Sequence, residues 1–148
     1  MIMFGTLGIG IIGMYQQVLD NAVRDAARQV QIDDVTASTA SNFKNGLCSA
    51  GLGAIVSGCS NSTLISFSVQ ASSVAIGFAG LTPEAVSATG TLSNSFFAGT
   101  TKFGPNVNVL VQVCFQIPFN IPYFSTALTG TNSNCLYSTS AVRVEPYT

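Results

Sequence analysis

The first part of the chain is patterned as one helix with two chemically different halves. Residues 1–15 carry no charged side chain, whereas residues 16–32 mix polar and charged residues with a regular set of apolar ones. The apolar residues of this second half recur at the three- and four-residue spacing of one helix face; they are Leu19, Val23, Ala26, Ala27 and Val30. We therefore predict one continuous helix that passes from an apolar anchor to an amphipathic stalk.

The apolar half is short for a membrane span. A bilayer is crossed by about 20 apolar residues, and residues 1–15 would extend only about 22 Å as a helix. We therefore expect the segment to be either incomplete or not required to span the membrane. A signal peptide is the alternative, but residues 1–15 lack its basic start and its small-residue cleavage site. Small residues let helices approach closely in an apolar medium. We expect this half and the apolar face of the second half to form an assembly helix, whose N-terminal positions are Phe4, Gly5, Gly8, Gly10 and Gly13.

Later segments alternate between apolar and polar residues, as half-buried strands do. Leu64–Gln70 is one such segment, and Asn106–Ile117 is the clearest, with valines at every second position from Val107. Pro118 ends this ladder because proline cannot donate a backbone hydrogen bond. A final strand is predicted at Leu136–Glu145, antiparallel to the preceding one.

These elements predict an α+β fold in which a long N-terminal helix packs on a small antiparallel sheet. The helix occupies residues 1–34, and residues 35–148 form a globular domain. Within that domain, residues 36–62 read as a loop or short helix closed by a disulfide. Thr82-Pro83-Glu84 resembles the start of a short helix, since proline is favoured at the first helical position.

The composition favours self-association and argues against nucleic-acid binding. Charged residues make up 7% of the chain, against about 25% in a typical soluble domain. Such a surface has little charge repulsion to keep identical copies apart. The net charge is −1 and the five Lys and Arg residues are dispersed, whereas phosphate binding needs clustered positive charge.

The four cysteines indicate an oxidising compartment. They lie in polar, loop-like surroundings, which favours disulfides over buried free thiols. Of the three possible connectivities we expect the local one, Cys48 with Cys59 and Cys114 with Cys135. Cys114 falls on the polar face of its strand, so its disulfide should lie on the side of the sheet away from the helix.

The sequence contains no recognisable catalytic site. It has no histidine, which removes the commonest general base and the commonest catalytic zinc ligand. Its six carboxylates form no acid and base pair, and neither a nucleophile elbow nor a phosphate-binding loop is present. We expect a protein that is not an enzyme and that uses no cofactor, metal or small-molecule substrate.

The N-terminal helix resembles that of TadE-like proteins, pilin-like subunits of the tight adherence (Flp, type IVc) pilus system. In that family an apolar anchor leads into a Gln-Gln-x-Leu-Asp-x-Ala-x-Arg-x-Ala-Ala-Arg pattern. The matching residues here are Gln16, Gln17, Leu19, Asp20, Ala22, Arg24, Ala26, Ala27 and Arg28. A closing Ser-Ala-x-Arg-Val-Glu is also similar, at Ser140, Ala141, Arg143, Val144 and Glu145. Gly8 stands where many members of the family have Glu.

The resemblance implies a structural subunit. It would insert in the bacterial inner membrane through its N-terminal helix and then assemble, with copies of itself or other pilins, into an extracellular pilus or filament. An alternative is a surface adhesin or binding module displayed on a pilus tip, with residues 80–104 as the binding loop. An exposed aromatic patch at Phe96 and Phe97 would favour the adhesin, and burial of these residues would count against it.

Overall fold

The computed structural model describes residues 2–32, 39–72, 77–96, 106–118 and 135–145. These residues form an α+β fold, as predicted. The helices and strands, in chain order, are α1 (Ile2–Gln31), α2 (Ala40–Ser49), β1 (Ile65–Ser72), β2 (Ser95–Phe96), β3 (Asn108–Gln116) and β4 (Cys135–Arg143). Short 3-10 turns lie at Leu52–Ala54, Cys59–Asn61 and Gly77–Gly80.

Helix α1 is continuous over 30 residues, which corresponds to a length of about 45 Å. The predicted single helix is confirmed over Ile2–Gln31, and residues 33 and 34 of its predicted range 1–34 lie outside the described residues. Its second half packs against β4 and β3 on one side and against α2 on the other. Buried alanines on this face, such as Ala22 and Ala26, let the helix lie close to the sheet.

The sheet has the order β2-β1-β3-β4. The pairs β1 with β3 and β3 with β4 are antiparallel, as predicted. The prediction of a purely antiparallel sheet is wrong at one edge, because β2 runs parallel to β1 and pairs Ser68 with Ser95. The chain enters β2 after crossing the sheet, and the side chain of Asn94 accepts a hydrogen bond from the backbone N–H of Phe67 at 3.2 Å.

The sheet is covered on both faces. One face carries α1 and α2 over a core that includes Phe67, Val111 and Phe115. The other face, which the sequence pattern suggests is solvated, is covered by residues 81–94. Ser66, Ser68 and Gln112 are buried there, and their polar groups hold this cover in place. Such satisfied polar groups can be buried without the desolvation cost of unpaired ones.

Residues 36–62, predicted as a loop or short helix closed by a disulfide, include the helix α2 and the Cys48–Cys59 disulfide. Thr39 caps this helix by accepting a hydrogen bond from the backbone N–H of Asn42 at 3.3 Å. Phe43 on α2 packs its ring against Phe67 at a centroid distance of 5.3 Å. The predicted helix start at Thr82-Pro83-Glu84 is wrong, because the backbone there forms no helix and instead hydrogen-bonds to Gln112 on β3.

Candidate assembly surface on the N-terminal helix

The second half of α1 is built into the chain's own core. Leu19, Val23, Ala26, Ala27 and Val30 are all buried, so the structure brings these predicted positions together in one place. They contact the sheet and α2 within the same chain, and this fixes the direction of the helix. They are therefore not accessible to another subunit while this chain is folded.

The first half of α1 is in a different environment. Ile12 is buried, but towards the N-terminus large apolar side chains are exposed. Met3 is 83% exposed, Leu7 65% and Met14 53%. A side-chain carbon added at Gly5, Gly10 or Gly13 would contact nothing within 4 Å; Gly8 is half-buried, and the Phe4 side chain lies outside the described residues. The predicted N-terminal glycine positions thus lie on a helix segment with open space beside it.

Eight of the exposed residues of α1 fall on one regular line opposite the core face, whereas Ile9 and Gly13 are exposed but lie off it. We call this line the outer stripe. Its residues are all exposed and are spaced alternately by four and three positions: Met3, Leu7, Gly10, Met14, Gln17, Asn21, Arg24 and Arg28. This is the 3.5-residue repeat of helices that pack along a shared seam.

The outer stripe changes chemistry along its length. From Met3 to Met14 it is apolar, and from Gln17 to Arg28 it is polar and then positively charged. Gln16 lies towards the core side of α1 and links this helix to β4, since its side-chain amide donates to Asp20 at 3.0 Å and to the Tyr137 backbone carbonyl at 3.2 Å. The outer stripe was not predicted from the sequence, because the glycines of this segment were selected and not the exposed residues at alternating spacings of four and three. Counting in steps of four and three from Met3 would have revealed it.

Both predicted disulfides are present. Cys48 and Cys59 are bonded with their Cα atoms 5.8 Å apart, and Cys114 and Cys135 with theirs 5.7 Å apart. The second disulfide packs with Leu92 on the face of the sheet away from α1, as expected. The disulfides therefore tie α2 to the 3-10 turn Cys59–Asn61 and tie β3 to β4, and neither involves α1.

The cover on the second sheet face is anchored by a polar network. Gln112 accepts a hydrogen bond from the Glu84 backbone N–H at 2.9 Å, donates to the Glu84 carbonyl at 3.3 Å, and contacts the Tyr137 hydroxyl. The Glu84 carboxylate accepts from the backbone N–H of Ser93 at 2.7 Å. Partial burial alone would raise the pKa of Glu84, but hydrogen bonds from Ser68 and Ser93 outweigh it and lower the pKa from its ordinary value.

Metal-ligating side chains do not cluster among the described residues. No group of three or more cysteine, aspartate or glutamate side chains lies close enough together to hold a metal ion within the described ranges. A shallow depression between α1 and α2 is lined by amide and hydroxyl groups, from Gln29, Asn42, Asn45 and Ser49, with Gly46 at its floor. These groups can donate and accept hydrogen bonds but include no strong acid, base or nucleophile.

Exposure of Phe96 and Phe97 would favour the adhesin alternative, and the structure describes the first of these residues. Phe96 is partly buried against the core, and its ring lies 5.8 Å from that of Phe43. Phe97 lies outside the described residues. The burial of Phe96 counts against an aromatic binding surface at this position.

Comparisons with known proteins give no relative: no family model, no curated protein and no solved structure matches this chain. Within the part of the chain that the structure describes, no helix combines the length and the apolar character needed to cross a membrane.

Proposed function

We propose that this chain is a structural, non-enzymatic subunit of a filament of the tight adherence, type IV-like kind, similar to TadE-like pilins. The observation that carries the proposal is the outer stripe. Its apolar part, from Met3 to Met14, is exposed on the same rigid helix whose second half is fixed in the core. The helix thus holds an apolar seam outside the globular part, where another subunit can contact it.

The apolar part of the outer stripe is large enough to stabilise contacts among several subunits, but not a single pair of helices. Full burial of a large apolar side chain is worth about 1.5–3 kcal/mol. Met3, Leu7 and Met14 are 83%, 65% and 53% exposed, so burial of their exposed parts on both helices of a pair gives about 6–12 kcal/mol, within the cost of association of about 4–15 kcal/mol. One pair is therefore marginal, and an array in which each helix meets several neighbours is favoured.

The charge of the stripe restricts how copies can pack. If parallel neighbours met along the whole stripe, Arg24 and Arg28 of one copy would face the same residues of the next, and like charges repel. The apolar part carries no such penalty, and Gly10 between Leu7 and Met14 allows a close approach. We infer that helices of copies of this chain, or of this chain and other pilins, pack through the first half of α1.

The same segment supports a membrane location before assembly. Residues 1–15 are uncharged, so they can insert at least partly in the bacterial inner membrane before extraction. The two disulfides support a globular part that folds outside the cytoplasm, because disulfides persist in oxidising compartments. The mature location would be an extracellular pilus or filament.

Substitutions on and off the stripe test the proposal. The full chain would be purified in detergent, the detergent removed, and filaments counted by negative-stain electron microscopy. We expect Leu7→Ser to reduce filament yield about tenfold or more, since loss of one such contact exceeds the 1.4 kcal/mol that corresponds to tenfold.

Ile9→Ser is the matched control. Ile9 is 52% exposed and equally apolar, but it lies about 160° around the helix from Leu7 and off the stripe. Its variant should assemble to within about twofold of the natural chain. Equal losses in both variants would mean that general hydrophobicity, and not the stripe, drives assembly. Full yield in both would refute the filament contact.

A further inference from the structure

The chain contains a single acceptor pattern for N-linked glycosylation. Asn61, Ser62 and Thr63 form the Asn-x-Ser/Thr pattern, and the middle residue is not proline. No other asparagine in the sequence begins this pattern. Because the pattern is short, its position in the fold decides whether a modifying enzyme can use it.

The fold presents the reactive residues of this pattern at the surface. Asn61 is the last residue of the 3-10 turn Cys59–Asn61, and both Asn61 and Thr63 are exposed. Within the described part of the chain, neither the Asn61 side-chain amide nor the Thr63 hydroxyl has a hydrogen-bond partner. The two groups that a glycosyl transferase must contact are therefore free.

The backbone around the pattern is fixed. The turn begins at Gly58 in the left-handed region, with φ of 62°, and the Asn61 N–H donates to the Gly58 carbonyl at 3.0 Å. The Lys44 ammonium donates to the Ser62 carbonyl at 2.7 Å, and the Ser62 hydroxyl accepts from the Leu64 N–H at 3.2 Å. Ser62 is thus engaged by the protein, while its neighbours on either side remain available.

The turn that contains Asn61 also contains a disulfide-bonded cysteine, which indicates that the chain is exported. Cys59, two positions before Asn61, is bonded to Cys48. Disulfides form and persist outside the reducing cytoplasm, and N-linked glycans are features of surface loops in secreted proteins. The acceptor pattern and the disulfide point independently to the same compartment.

We propose that Asn61 is the attachment site of an N-linked oligosaccharide. The co-substrate is a lipid-linked oligosaccharide whose anomeric carbon is bonded to a phosphate oxygen. A bond forms between Asn61 Nδ2 and this carbon while the carbon–oxygen bond breaks, and the lipid phosphate leaves with the electron pair. One amide proton passes to a base of the transferase, so the step needs no oxidant or reductant.

The glycan would compensate for a surface that is poor in charge. Only 7% of the residues are charged, and a hydrophilic glycan supplies solvation that charge does not. Asn61 lies on the globular part and not on the outer stripe. The proposal goes beyond filament assembly and requires only that the chain is exported.

Mass spectrometry of the protein from the cells that naturally make it tests the proposal. The full chain would be purified, its intact mass measured, and the peptide that contains Asn61 mapped. We expect the peptide to carry an added mass of hexose or N-acetylhexosamine units. Asn61→Gln and Thr63→Val, each introduced in place of the natural gene, should both lose this added mass.

Thr63→Ser is the matched control, because it keeps the acceptor pattern and should keep the glycan. The exposed, unbonded Thr63 side chain allows both substitutions at this position without disturbing the fold, which formation of the Cys48–Cys59 disulfide would verify. An unmodified Asn61 in the natural protein would overturn the proposal. A glycan that persists in Asn61→Gln would overturn it equally, since the sugar would then be attached elsewhere.

Discussion

Replacement of the buried Gln112 should loosen the cover on the second face of the sheet. Gln112 is fully buried and pairs with the backbone N–H and carbonyl of Glu84 and with the Tyr137 hydroxyl. Methionine has a similar length and no branch, so Gln112→Met removes these hydrogen bonds and leaves the volume nearly unchanged. The substitution therefore mainly removes hydrogen bonds and leaves the packing of the side chain nearly unchanged.

The expected cost follows from the groups left without partners. Each lost hydrogen bond contributes about 1 kcal/mol, and a buried donor or acceptor left unsatisfied costs about 1–3 kcal/mol. The gain from a more apolar side chain offsets part of this. We expect the free energy of unfolding to fall by about 2–4 kcal/mol, a large part of a typical stability of about 5–15 kcal/mol.

Urea unfolding of the full chain in detergent measures this change, and amide hydrogen exchange locates it. Exchange at the backbone N–H of Leu92, which donates to Ser66 Oγ at 2.9 Å, should accelerate because this residue belongs to the cover. Tyr137→Phe is the control, since it removes only one contact of the network and should cost under about 1.5 kcal/mol. A Gln112→Met variant as stable as the natural chain would refute the anchoring role of Gln112.

Other predictions concern the same domain. The pKa of Glu84 is lowered in the folded chain. The Glu84 carboxylate therefore contributes stability above its unfolded pKa of about 4.3, and this contribution is lost as the pH falls through the lower folded pKa. Urea midpoints measured from neutral to acidic pH should show this loss, and Glu84→Gln should remove that part of the pH dependence. A side-chain carbon at Gly53 would lie 2.7 Å from the Cys48 carbonyl oxygen, so Gly53→Ala should lower the unfolding free energy by about 1–3 kcal/mol. The control is Gly10→Ala, whose added carbon contacts nothing and which should raise helix stability by up to about 1 kcal/mol. Thermal unfolding in detergent compares the Gly53→Ala and Gly10→Ala variants. Equal melting temperatures of the two variants would contradict the close contact at Gly53.

The elements that depend on local periodicity could be predicted from the sequence. The helix over residues 2–31 follows from apolar spacing, and β1, β3 and β4 follow from alternation and lie within two residues of their expected starts. The local disulfide pairing follows because strands and loops close in sequence are close in space. In each case the sequence pattern that predicts the element lies within the same short stretch of chain as the element itself.

The parallel strand β2 and the cover formed by residues 81–94 could not be predicted in this way. Serine and glutamine at alternate positions on β1 and β3 indicate a solvated face, and Gln112 is an example. Here those side chains are buried because they bind the backbone of a distant segment, such as Glu84. No periodicity within residues 81–94 encodes that pairing, since the partner lies elsewhere in the sequence.

The two faces of α1 differ in a way that would let one helix serve both folding and the proposed assembly. The core face uses small residues such as Ala22 and Ala26, which bring the helix close to the sheet and fix its direction through its second half. The opposite face keeps a 3.5-residue repeat, and Met3, Leu7 and Met14 on it are exposed and do not belong to the core cluster. Natural sequences rarely expose a continuous apolar seam unless it binds something. Substitutions on the core face should therefore change unfolding, whereas substitutions of the exposed Met3, Leu7 and Met14 side chains should change assembly and leave unfolding nearly untouched.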